Sequence, residues 1–113
     1  MELTVDNLEG GVRCVRLAGR LDLKGTQAVE QKFSETVGVA GESVVVDMSQ
    51  VEFIASVGVR LLLSNIKALM AAGSKMVILN PQKMVAEVLQ LSGLDSVAEI
   101  KTDTASALAA LKS

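Results

Sequence analysis

Val44-Val45-Val46 is a run of β-branched residues of the kind that fills a strand covered on both faces. Asp47-Met48-Ser49-Gln50 reads as a polar turn that breaks the strand, and Val51-Glu52-Phe53-Ile54 brings the chain back over apolar surface. From Val57 onward the apolar positions Leu61, Leu62, Ile66, Leu69 and Met70 recur at helical spacing. The helix opens on Ser56, which is expected at the N-cap with its hydroxyl beside backbone N–H groups that lack partners. Such a position tolerates negative charge, so Ser56 is a candidate for phosphate chemistry.

The remaining elements follow from the same signals. Leu3 to Leu8 and Val12 to Leu17 flank Glu9-Gly10-Gly11 and read as an opening hairpin. Gly19-Arg20-Leu21-Asp22 is expected to lead away from the sheet. A helix then starts at Lys24-Gly25-Thr26, with Thr26 as its cap and Val29, Phe33 and Val37 on one face. Gly38 and Gly41 are expected to stop that helix, and Gly73 to close the one that Ser56 opens. Lys75 to Leu79 is a short buried strand, and Asn80-Pro81 turns into a third helix carrying Val85, Val88 and Leu89 and ending at Gly93. A weak strand falls within Val97 to Ile100. Thr102 or Asp103 caps a last helix with Leu108 and Leu111 inward.

This order predicts a two-layer α/β domain: a mixed four- to five-stranded sheet with four helices, its later strands parallel and joined by helical crossovers. Residues 1–113 are expected to form a single domain, long enough to bury about 65% of the unfolded surface. Only Phe33 and Phe53 are aromatic, so the core must be aliphatic, with Met48, Met70, Met76 and Met84 as adaptable fillers.

Several function classes are disfavoured by what the residues offer. A net charge of −2 with interspersed signs gives no footprint for nucleic acid, and stacking platforms for single strands are missing. No apolar run is long enough to span a bilayer, and the start does not resemble a signal peptide. Cys14 stands alone and cannot form an internal disulfide, so a cytoplasmic location is expected without direct membrane insertion. Histidine is absent, which removes the commonest general base and metal ligand. Phosphate-cradling glycine motifs and paired carboxylates are missing as well, so no enzyme, metal or cofactor is expected.

What remains is the mouth of the Ser56 helix, where Ile54, Ala55, Val57, Gly58 and Val59 surround the hydroxyl with small or apolar groups. Glycine in a first helical turn costs about 1 kcal/mol relative to alanine, so Gly58 implies that something approaches closely there. A small, apolar helix entrance suits partner docking.

Four pieces, in order and at matching spacing, make the chain resemble a STAS domain of the anti-sigma factor antagonist type. They are Gly19-Arg20-Leu21-Asp22, Val45-Val46-Asp47-Met48-Ser49, Phe53-Ile54-Ala55-Ser56-Val57-Gly58 and Leu91-Ser92-Gly93-Leu94. The resemblance implies a domain that, unphosphorylated, binds an anti-sigma factor serine kinase and so frees a sigma factor. The kinase then phosphorylates the serine aligned with Ser56, and a serine phosphatase resets the switch. It also implies that Asp22 and Lys24 lie beside Ser56 on a docking surface with Ile54, Ala55, Val57, Gly58, Val59 and Arg60. The family's usual Asp-Ser-Ser/Thr-Gly is Ala55-Ser56-Val57-Gly58 here, so the acid before the acceptor and the hydroxyl after it are both replaced. That departure keeps a second reading open: a STAS-like scaffold or transporter accessory that never meets a kinase.

Overall fold

A computed structural model describes residues 1–112. Strands β1 (Glu2–Asn7) and β2 (Arg13–Leu21) form the opening antiparallel hairpin. Gly10 and Gly11 turn it with φ of 81° and 76°. Helix α1 (Leu23–Ser34), β3 (Val44–Ile54), α2 (Ser56–Ala71), β4 (Met76–Leu79), α3 (Lys83–Leu91), β5 (Glu99–Lys101) and α4 (Thr104–Lys112) follow. The sheet has the order β1-β2-β3-β4-β5, with every pair after the first parallel. This is the mixed five-stranded sheet with four helices that the residue pattern predicts.

The main core lies between the sheet and helices α1 to α3, where Phe33, Leu17, Leu21, Met48, Leu62, Ile66, Leu69, Ile78 and Leu89 are fully buried. Helix α4 packs on the opposite face, with Ala107 and Ala110 against Cys14, Val45, Val77 and Leu79. The alanines are the buried part of this contact; of the two leucines expected inward, Leu111 packs against the same cluster at its half-buried edge, and Leu108 is half-buried outside it. Burial raises the Cys14 thiol pKa, which keeps it in its unreactive protonated form.

Four local expectations are corrected. Asp47-Met48-Ser49-Gln50 does not break the strand: β3 runs on for 11 residues. The polar groups are absorbed on the sheet, where Asp47 Oδ1 accepts from Ser49 N (2.9 Å) and Ser49 Oγ (2.7 Å), and Oδ2 from Arg16 Nε (3.1 Å). The register steps from Arg16↔Asp47 to Ala18↔Gln50, a bulge that accommodates one extra residue. Likewise Gly19-Arg20-Leu21 stays in β2 rather than leaving the sheet, paired with β3 as far as Leu21↔Ile54.

Gly38 does not stop the first helix, which continues as a π-turn over Glu35–Val39. Glycine is required there because Asn65 Oδ1 accepts from Gly38 N at 3.0 Å, and a Cβ would lie 2.6 Å from that oxygen. Gly73 closes α2 as expected, with φ 77° and Ser74 N donating back to Leu69 O at 2.8 Å. Met48 and Met76 fill the core, whereas Met70 and Met84 are 57% and 60% exposed. Among the described residues no helix is long and apolar enough to cross a membrane.

Candidate phosphoacceptor and docking site

The parallel pairing of β2 with β3 ends at Leu21↔Ile54, so the two strands deliver their following helices side by side. Ala55 N donates to Leu21 O at 2.9 Å, stitching the two exits together. Ligand and partner sites of open α/β sheets favour the carboxyl ends of strands for this reason, since helix starts converge there.

At the first exit, Asp22 is extended (φ −84°, ψ −172°) and caps α1, its Oδ1 accepting from Gly25 N at 2.8 Å. This replaces Thr26 as the expected cap; Thr26 sits a turn later, buried, and its hydroxyl has no hydrogen-bond partner among the described residues. The Gly25 N–H bond lowers the Asp22 pKa, with a further lowering from Arg20. Arg20 Nε lies 3.6 Å from Asp22 Oδ2, and its guanidinium stacks 4.4 Å over the Phe53 ring. Gly25 admits this packing: a Cβ there would run into the Arg20 carbonyl.

At the second exit, Ala55 rather than Ser56 is the N-cap of α2. Ala55 is extended (φ −98°, ψ 173°) and its carbonyl already takes helical bonds from Gly58 N (2.9 Å) and Val59 N (3.1 Å). Ser56 is therefore the first residue inside the helix. It is exposed, and no side chain caps the helix above it.

The close approach that Gly58 implies is found inside the domain: a Cβ there would meet Ile54 Cγ1 at the end of β3 at 2.9 Å and Leu21 Cβ and O at the end of β2 at 3.0 Å. Ile54 (4% exposed) and Val59 (6%) are buried with it. These three residues shape the site from beneath and are removed from the surface expected to dock. Ala55 and Val57 are half-buried, while Ser56, Lys24 and Arg60 are exposed. Neither Lys24 nor Arg60 has an ion-pair partner among the described residues.

Two features went unrecognised in the residue pattern. One is the Arg20–Phe53 stack, which depends on strand register. The other is Leu23, 61% exposed beside Asp22, whose signal was a large apolar residue directly after a cap.

This chain belongs to the STAS domain family, whose model matches residues 6–107. It is 27% identical over 113 residues to BtrV of Bordetella bronchiseptica, described as a candidate anti-sigma factor antagonist, covering 99% of this chain and 96% of that protein. Among solved structures it is similar to an anti-sigma factor antagonist from Mycobacterium paratuberculosis (25% identity, TM-score 0.86, 99% of this chain and 94% of that one). It is also similar to the Bacillus cell fate determinant SpoIIAA in its phosphorylated form (25% identity, TM-score 0.67, 90% and 93% covered).

Proposed function

We propose that this chain is a non-enzymatic anti-sigma factor antagonist of the cytoplasm, switched by phosphorylation of Ser56. Unmodified, it docks on an anti-sigma factor serine kinase through the end of the domain that carries Ser56, with Asp22, Lys24, Ala55, Val57 and Arg60 around it, and so releases a sigma factor. Phosphorylation of Ser56 ends the complex, and a serine phosphatase restores the binding form. The single observation that carries this reading is an exposed hydroxyl on the first residue of a helix with no side-chain cap.

The energetics favour a switch of binding over a switch of fold. A phosphate adds a charge of about −1.5 to −2. At a helix N-terminus the dipole favours it by about 0.3–1 kcal/mol, so the domain tolerates the modification. In a closed docking interface the same charge is desolvated without a partner, at a cost of several kcal/mol. Every 1.4 kcal/mol is about tenfold in affinity, so the interface effect dominates.

Incubation with an anti-sigma factor kinase and ATP, followed by intact-mass measurement and peptide mapping, tests the reading. One phosphate on Ser56, lost in Ser56→Ala, is the expected result. Ser56→Asp should weaken kinase binding at least tenfold while the unfolding midpoint barely moves. Tight binding with no phosphate at Ser56 would overturn the switch and leave a constitutive docking scaffold.

A further inference from the structure

We infer that Arg60 is the internal counter-ion of a phosphate on Ser56, a clasp built into α2 itself; the inference rests on the phosphorylation proposed above. Ser56 and Arg60 stand four residues apart on one face of the helix, both exposed. Helical side chains tilt toward the N-terminus, so a long side chain at the later position covers the turn that carries the earlier one. The Arg60 guanidinium has no carboxylate partner among the described residues and is free to be claimed. Its planar fork matches phosphate oxygens bidentately, which a lysine ammonium does not.

The charged residues at the ends of β2 and β3 and the start of α1 are Arg20, Glu52, Lys24 and the cap Asp22, and none of them forms an ion pair with Arg60. Asp22 is already engaged, one oxygen by Gly25 N and the other facing Arg20. Lys24, at the start of the neighbouring helix, is a second cation without an ion-pair partner among the described residues and contributes as a point charge. The clasp adds to the open cap at Ala55, which leaves the backbone donors of the first turn to the phosphate. It also withdraws Arg60 from any surface it serves in the unmodified chain, so the modification both adds an anion and removes a cation.

The test does not need a kinase. Phosphoserine is introduced at position 56 by genetic encoding, and its second ionisation is followed by phosphorus NMR against pH. In an unstructured chain that pKa is about 6. In the folded chain it should fall below this value, and Arg60→Gln should restore about 0.2–0.4 of a unit. Arg60→Glu should raise it further, Arg60→Lys should recover only part of the effect, and Lys24→Gln should move it least. The unphosphorylated Arg60 variants should unfold at the parent temperature, separating a clasp from a structural role. Titration of phosphoserine that is identical in parent, Arg60→Gln and Arg60→Glu overturns the inference. A failure of the kinase to modify Ser56 overturns the proposed function alone.

Discussion

The starts of α1 and α2 lie side by side at the ends of paired strands, yet they are finished in opposite ways. Asp22 fills the cap of α1, one oxygen bonded to Gly25 N and the other toward Arg20, so that end is electrostatically closed. Ala55 leaves α2 without a side-chain cap, and the exposed group just inside it is the Ser56 hydroxyl. Closing one helix start holds the framework; leaving its neighbour open keeps backbone donors and a hydroxyl available. Each start carries a buried reason for its shape, since a glycine in each first turn lets backbone and strand close up beneath.

The strongest way to break this comparison is to thicken those glycines. Gly25→Ala drives a Cβ into the Arg20 carbonyl, a backbone atom that cannot swing aside. Gly58→Ala meets Ile54 Cγ1 at 2.9 Å, a side-chain atom with some freedom, besides the Leu21 carbonyl at 3.0 Å. Overpacking costs about 1–3 kcal/mol or more, and the better helix propensity of alanine returns about 1 kcal/mol. Urea unfolding should rank Gly25→Ala as the more damaging and Gly58→Ala as a net loss of up to about 2 kcal/mol. A Gly58→Ala chain more stable than the parent would show that the approach of β2 is not tight.

How far the residues alone reveal this arrangement depends on the range of each interaction. Strands rich in valine, the helical stripe of Val29, Phe33 and Val37, and the Ser56 helix all follow from short-range periodicity, and all are present. The Asp47 segment reads locally as a turn but continues the strand, because its polarity is neutralised by Arg16, 31 residues away, through a strand pairing that no local pattern encodes. Gly58 signals a close approach, and the neighbours that make it are Ile54 and Leu21 of the same domain. The choice of cap also escaped. Ser56 and Thr26 are good capping residues, but strand pairing through Leu21↔Ile54 sets where each helix begins, one residue before the serine and four before the threonine.

Exchanging the two finishes sharpens the comparison at a smaller scale. Ala55→Asp should cap α2 and raise stability by about 1 kcal/mol, while Asp22→Ala should lower the unfolding midpoint by opening α1. If Ser56 is modified in the parent, Ala55→Asp should also slow that reaction, because a carboxylate then occupies the donors beside the hydroxyl and repels incoming phosphate. Phosphate transfer that is unchanged by Ala55→Asp would mean that the open cap plays no part.

The smallest difference between the two helix starts is their response to acid. Asp22 has its pKa lowered, first by the Gly25 N–H and also by Arg20, whereas α2 has no acid at its cap. A lowered carboxylate pKa means that the folded state holds the charged form more firmly than the unfolded chain does. The resulting stability is therefore present above the unfolded value near 3.9 and lost as pH falls through the folded one. Asp47 follows the same sign: burial pushes its pKa up, but the Ser49 N–H and hydroxyl and the Arg16 guanidinium together bring it below the ordinary value. Asp22→Asn should thus differ from the parent at neutral pH and begin to approach it below about pH 4, meeting it only once the pH has fallen through the lowered Asp22 pKa. Asp47→Asn should show the same convergence, and Ala55→Asp should acquire a new acid-sensitive increment that the parent lacks. Parallel stability curves for parent and Asp22→Asn down to the acid limit would mean that the α1 cap owes nothing to its charge, and the contrast with α2 would then be one of shape alone.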